Sequence, residues 1–206
     1  MMTKDQALGM EKIAKGPFAP IYPAMAKELI EKSQKKSGVC LDIGGGGGQL
    51  GLNIKALTNM EVVNLDINPF TIEIAMENAK EMGQTENFQA IAADVQALPM
   101  ENDSIDLCVS RGSYWFWEDR AQGFREIKRV LKDDGIAIIG CGFVSNEILQ
   151  DVIKKMATVK PEWNEMRINM FKNNPVEDFK RALIEASIDN FVIEEYSHSR
   201  WIIIRK

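Results

Sequence analysis

Between Val39 and Leu52 the chain reads VCLDIGGGGGQLGL, an apolar run that ends in five consecutive glycines. A glycine run lets a ligand lie directly against backbone N–H groups, and the start of a following helix adds more of them. Two registers fit. Gly46, Gly48 and Gly51 form G-x-G-x-x-G, a dinucleotide pattern, whereas Asp42, Gly44, Gly46 and Gly48 form D-x-G-x-G-x-G. In either register an acid at the tip of the second strand should hold a ribose diol by accepting from both hydroxyls. Asp66, in VVNLDIN, stands there, 18 residues beyond Gly48 (66 − 48). It indicates a ribose-bearing ligand and leaves the register open.

Other residues separate the two. A carboxylate at the end of strand one suits a cationic group nearby and sits awkwardly beside a pyrophosphate, and Asp42 is such a carboxylate. A further acid, Asp94 in IAADVQALP, follows strand three. It can accept from an exocyclic adenine amine, with Val95 supplying backbone. The stretch SRGSYWFWEDR places Arg111 and four aromatic residues after strand four, at the carboxyl edge where open α/β sheets bind ligands. Aromatic faces pack a flat substrate or favour a cation. Trp115 and Trp117 are therefore substrate candidates, with burial against the sheet as the alternative, and Phe116 is expected inside the helix–sheet interface. Arg111 could pair with a ligand carboxylate. Tyr22, close to Phe18 in GPFAPIYP, is a further substrate candidate.

These residues need a scaffold, and the periodicity supplies one. Helical spacing marks QALGMEKIAK and the segment from Pro23, PAMAKELIEKSQKK. The GPFAPIYP between them is expected to be non-helical, because three prolines interrupt it. From Val39 strands and helices alternate: GVCLDI, MEVVNLDI, NFQAIAAD, SIDLCVS and GIAIIGCGF are strands. QLGLNIKALT, PFTIEIAMENAKEMG and EDRAQGFREIKRVLK are helices, the second closed by Gly83. Such alternation predicts a doubly wound α/β sheet of parallel strands. Three helices should follow, in VSNEILQDVIKKMATV, PEWNEMRINMFK and PVEDFKRALIEAS. The last two strands, NFVIEEY and RWIIIRK, are separated only by SHS, so they should form an antiparallel hairpin at the sheet's edge.

Composition narrows the function further. A net charge of −5 disfavours a partner held by phosphate neutralisation, which argues against nucleic acid. Three scattered cysteines and one histidine lack metal-ligand spacing, so no metal is expected. Cys40 and Cys108 fall inside apolar strands; Cys141 ends strand five, and burial is expected for it too. His198 falls in the hairpin link, where a solvent-exposed turn residue is expected. No run approaches the ~20 apolar residues of a membrane helix, and the N-terminal stretch lacks a secretory apolar region, so a cytoplasmic protein is expected.

With these motifs in view, the chain resembles the class I methyltransferases that use S-adenosyl-L-methionine. VCLDIGGGGGQLGL is similar to that family's first motif and VVNLDIN to its acidic second. AADVQALPMENDSIDLCVSRGSYWFWED is similar to the third and fourth, and FREIKRVLKDDGIAIIG to the fifth. The usual LKPGG is here Leu131-Lys132-Asp133-Asp134-Gly135, a turn change that should not affect binding. The resemblance covers about residues 22–142. It implies a Rossmann-like seven-stranded sheet, mostly parallel with a C-terminal antiparallel hairpin and with helices on both faces. It also implies a single domain over 1–206: a helical N-terminal cap (1–37), a cofactor-binding core (38–142), a helical region and substrate cap (143–189), and the terminal hairpin (190–206).

The resemblance further implies roles. Asp42 belongs to the cofactor site, and Gly44, Gly46 and Gly48 would lie along the methionine and ribose of the cofactor. Asp66 would hold the ribose hydroxyls and Ile67 would flank the adenine. Asp94 and Val95 would bind the adenine edge, and Ser110 and Arg111 would lie near the methionine portion and the transferable methyl. Methyl transfer from a sulfonium is an in-line displacement with a neutral leaving group, so it rests mainly on proximity and names no catalytic residue. The expected acceptor is a small molecule. RNA or protein methylation, an NAD(P)-dependent oxidoreductase, and a non-catalytic cofactor-binding module are the alternatives. The segment 151–174, with Trp163, Met166, Arg167, Met170 and Phe171, is expected to cap the substrate pocket. Gly45 and Gly47 fall outside the motif and are expected only to loosen the loop.

Overall fold

The structure, a computed structural model, describes residues 2–206. Two helices open it, α1 (Lys4–Lys15) and α2 (Ile21–Ser33). Alternating elements follow: β1 (Ser37–Ile43), α3 (Gln49–Leu57), β2 (Asn59–Asp66), α4 (Pro69–Glu81), β3 (Phe88–Ala92), β4 (Ile105–Arg111), α5 (Arg120–Val130) and β5 (Leu131–Gly142). Three helices, α6 (Asn146–Val159), α7 (Trp163–Asn173) and α8 (Val176–Glu185), lead to β6 (Phe191–Tyr196) and β7 (Ser199–Arg205). Single 3-10 turns cover Val95–Ala97 and Tyr114–Phe116.

The strands form one seven-stranded sheet in the order β3-β2-β1-β4-β5-β7-β6. β1 to β5 are parallel, and β7 runs antiparallel to both β5 and β6. This is the expected doubly wound sheet with its terminal hairpin at one edge. Strand alternation sorts the core into two layers. Leu41 and Ile43 of β1 pack with Phe124 and Ile127 of α5 and Phe179 and Leu183 of α8 on one face. Cys40, the residue before Leu41 and on the other face, packs with Met25 of α2, Leu52 of α3, Ala75 of α4 and Val152 of α6. Among the described residues no helix is long and apolar enough to cross a membrane.

Two boundaries differ from the sequence expectation. α2 already begins at Ile21, so Pro23 lies within its first turn and the IYP of GPFAPIYP is helical. First-turn N–H groups have no intrahelical acceptor, so a proline there forfeits no hydrogen bond. Leu131 and Lys132, expected at the end of a helix, instead start β5. Buried Leu131 pairs with Ile105, then the chain loops out and rejoins β4 with Ile136 opposite Leu107. The loop carries Asp133, Asp134 and Gly135. Lys132 with Asp106 and Asp134 with Lys35, each at 2.8 Å, pin it at the sheet edge opposite the glycine run.

The hairpin returns across β5 through Trp201, whose indole is fully buried. A side chain on Gly140 would meet that ring at 2.5 Å, so β5 carries glycine there to admit it. Trp201→Ala should lower unfolding stability by ~3–5 kcal/mol, read from the urea midpoint. A loss under about 1 kcal/mol would mean the ring is not a core element.

Candidate active site

The glycine run forms a tight loop between β1 and α3. Gly44, Gly46 and Gly48 have φ of +65°, +54° and +78°, the left-handed region that other residues avoid. Backbone N–H groups of Gly44 and Gly45 donate to Leu65 O at 2.7 and 3.1 Å, which ties the loop to β2. Asp66, at the tip of β2, accepts from Gly46 N (3.0 Å) and Asn68 N (2.9 Å). Below the loop, buried Asp42 accepts from Gly51 N at 2.9 Å through Oδ2, while its Oδ1 has no partner among the described residues. Burial raises the Asp42 carboxyl to about 7; the Gly51 N–H opposes this and the Asp66 charge adds to it.

Gly45 and Gly47 do more than loosen this loop, which corrects the expectation. A Cβ on Gly45 would stand 2.0 Å from Asn64 Oδ1 and 2.8 Å from Asp42 Oδ2. One on Gly47 would stand 2.1 Å from Glu11 Oε2. Gly45 is closed by the buried Asn64 and Asp42 side chains, whereas a side chain at Gly47 would have to displace the Glu11 carboxylate. Gly46 alone of the five has a positive φ and open space, with nothing within 4 Å of an added Cβ.

Glu11 lies on α1 and had no sequence signal. Its Oε1 accepts from Gln49 Nε2 (3.2 Å) and Asn78 Nδ2 (2.7 Å), and Asn78 also donates to Gly47 O at 2.7 Å. The first helix is thereby fastened over the loop. Between them opens a cavity of about 370 Å³ at the carboxyl edge of the sheet. Its floor is the loop from Gly44 to Gly47, and α1 walls one side with Ala7, Met10 and Glu11. α7 walls another with Trp163, Met166, Arg167, Met170 and Phe171, so the expected capping segment does face the cavity.

The structure brings Asp42, Gly44, Gly46, Tyr22, Arg111 and Trp115 to this cavity. The Arg111 guanidinium lies over three rings, Phe18 (5.3 Å), Phe143 (5.4 Å) and Tyr22 (5.6 Å). Trp115 stacks on Tyr114 at 4.1 Å and meets the edge of Phe171 at 5.0 Å. Trp117 is not in the wall, which corrects its reading as a substrate residue. Its indole packs on Phe124 at 5.6 Å and against Gly123, and its N–H donates to Ser113 Oγ at 3.2 Å. Phe116 reverses its expectation as well: it is 71% exposed and lines the cavity.

Asp66, Gly48, Ile67, Asp94, Val95 and Ser110 lie outside the cavity wall. Ile67 is exposed just past Asp66. Asp94 caps the 3-10 turn Val95–Ala97 by accepting from Gln96 N at 2.9 Å, and Val95 is buried. Ser110 is buried below the loop, 2.6 Å from Ser113 Oγ. Cys40 and Cys108 are buried in the sheet, and Cys141 lines the cavity; burial pushes all three thiols up. His198 stacks on Tyr196 in the hairpin.

Comparison with known proteins now places the fold and loop. A family model described as a methyltransferase domain matches residues 41–139. A crystal structure from Methanococcus maripaludis, provisionally assigned as an S-adenosyl-L-methionine-dependent methyltransferase, is 37% identical with a TM-score of 0.93. That match covers 98% of this chain and 93% of the other. The rice chloroplastic 2-methyl-6-phytyl-1,4-hydroquinone methyltransferase 1 is 37% identical over 100 residues, 48% of this chain and 29% of its own. The ubiquinone/menaquinone biosynthesis C-methyltransferase of Hahella chejuensis is 32% identical over 123 residues, 58% of this chain and 49% of its own. The chain therefore spans less than half the length of these curated relatives.

Two outcomes follow from the loop's packing. Gly45→Ala should destabilise the protein by roughly 1–3 kcal/mol, and adding Asn64→Ala should recover part of that, because the collision is with its amide. Strict additivity in denaturant melts would disprove the collision. Asp42 has an ordinary value of 3.8 and a folded value of about 7. Between those pH values the folded chain keeps a proton that the unfolded chain has released, so stability falls as pH rises and levels off above about 7. Urea melts across that window should show a flatter profile in Asp42→Asn; equal slopes would refute the assignment.

Proposed function

The chain belongs to the class I S-adenosyl-L-methionine-dependent methyltransferases, and on that premise we propose that it methylates a small-molecule acceptor held in the aromatic cavity. The observation that carries this reading is the junction of three features at one sheet edge. An acid-tipped second strand, an open glycine at Gly46 and a largely apolar chamber meet there. The residues fit the cofactor. Asp66 would exchange its Gly46 and Asn68 N–H groups for two ribose hydroxyls, with Ile67 flanking the adenine and Asp94 and Val95 at its edge. Gly44, Gly46 and Gly48 would run along methionine and ribose. The partnerless Asp42 oxygen suits a cationic end, and Arg111 suits a carboxylate.

The bound cofactor supplies an electrophilic methyl on a sulfonium whose leaving group is a neutral thioether. The chain's own contribution is positional. Tyr22 and Trp115 would orient the acceptor so that its nucleophilic atom meets the methyl in line. α1 and α7 would exclude water from the chamber. Ser110 acts from beneath, setting Ser113 against the loop; Trp117 fixes the same serine from the side. Proximity, without a dedicated base, is the main source of rate. Residues 1–37 and 143–189 serve as cap segments on one domain, with the core at 38–142 and the hairpin at 190–206. The free thiols and the negative net charge fit a cytoplasmic enzyme with a small acceptor in place of a nucleic acid.

Calorimetric titration with S-adenosylmethionine, S-adenosylhomocysteine and NADPH tests this directly. Both sulfur ligands should bind and NADPH should not. Asp66→Ala should weaken both by at least about tenfold, since each hydrogen bond to a charged group contributes ~1.5–3 kcal/mol. A thermal melt checks that the variant stays folded. NADPH binding without either sulfur ligand would overturn the reading.

A further inference from the structure

Two guanidinium groups reach the same cavity without an ion-pair partner, although Asp42 and Glu11 line it too. Arg111, at the end of β4, and Arg167, on α7, both line it. Among the described residues neither takes part in any ion pair. Each donates once, through Nε: Arg111 to Gly142 O at 3.3 Å and Arg167 to Asn164 Oδ1 at 3.2 Å. Among the described residues the terminal nitrogens of both have no acceptor, although they are the donors that grip a carboxylate side-on. Burial pulls the Arg167 pKa down, a sign that its charge is held away from water.

Other arginines of the chain are treated differently. Arg200 is paired with Glu195 and bonded to Asn174 O; Arg129 is paired with Glu126. Arg120 is bonded to Asn174 Oδ1 and to Trp115 O. The two cavity arginines are thus a local exception, and an unmatched charge in an apolar enclosure is costly. The cofactor cannot match both. It carries one carboxylate against an ammonium and a sulfonium, so loading it makes the cavity more positive. Glu11 is committed to Gln49, Asn78 and Lys15. Asp42 faces the cofactor's cationic end and Arg111 its carboxylate, which leaves Arg167 for a negative charge on the acceptor.

Building on the methyltransferase reading above, we propose that the acceptor is an aromatic carboxylate, its charged end held by Arg167 and its ring packed among Trp115, Phe143 and Phe171. Arg167 comes from the helical segment between β5 and β6, so this segment sets acceptor choice while the sheet edge sets the cofactor.

The test uses 4-hydroxybenzoate and its neutral isostere 4-hydroxybenzamide, titrated calorimetrically into protein saturated with S-adenosylhomocysteine. The acid should bind at least about tenfold more tightly than the amide. Arg167→Met should erase that preference while keeping S-adenosylhomocysteine affinity within threefold, and Arg167→Lys should restore part of it. Equal binding of acid and amide, no binding of either, or a preference that survives Arg167→Met would overturn the proposal. Failure of S-adenosylhomocysteine to bind would overturn the methyltransferase reading and this one with it. Cofactor binding without a carboxylate preference would overturn only this one.

Discussion

The glycine loop is held between two carboxylates, and the rest of the site takes its position from that clamp. Asp66 fixes Gly46 from the tip of β2, and Asp42 fixes the start of α3 from below through Gly51. Asn64 closes the third side by donating to Gly46 O at 3.1 Å. The approach is so close that Gly45 and Gly51 have no room for a methyl group: an added Cβ on Gly51 would stand 2.9 Å from Val62. A loop this tightly determined presents a fixed backbone surface, which is what a ligand recognised through main-chain groups requires. The buried Asp42 carboxyl, pushed up to about 7, is an electrostatic consequence of the same crowding.

The clamp also explains why the first helix matters. Glu11 joins α1 to α3 through Gln49 and to α4 through Asn78, and Asn78 in turn holds Gly47. Asn68, which caps α4, donates to Met2 O at 2.8 Å. The N-terminal segment is thereby bonded to both sides of the cradle. Its residues wall the cavity as part of the site itself.

Much of this was legible in the sequence because it is local. Strand runs with opposite-facing neighbours, such as Cys40 and Leu41, specify a sheet covered on both sides. The two-residue link at Ser197 and His198 left the last strands no geometry but a hairpin. Asp66 could be placed because a strand end and a glycine turn have fixed relations in such sheets. What escaped was non-local or aperiodic. Glu11 meets Gln49 across 38 residues, a contact no window detects. Phe116 and Trp117 exchanged their expected places because one 3-10 turn is too short to show which of four consecutive aromatic residues faces inward. Gly45 and Gly47 escaped because their need for glycine lies in the side chains opposite them.

The division between shared and individual parts follows from this geometry. The family-wide segment at 41–139 holds the loop, Asp66, Asp94 and Arg111. It also supplies Trp115 and Phe116 to the cavity wall; Met10 and Tyr22 come from before it, and Phe143 and the α7 residues from after it. That outer wall has its own support. Arg200 lies 5.2 Å from the Phe171 ring and 5.9 Å from Trp115, and Arg120 lies 4.8 Å from Phe179. Both arginines meet at Asn174, the residue that closes α7. The chamber is therefore braced by groups outside the cavity lining, on α5 and β7. A chain built this way can keep one cofactor chemistry on the sheet edge and change its acceptor by altering the helices between β5 and β6.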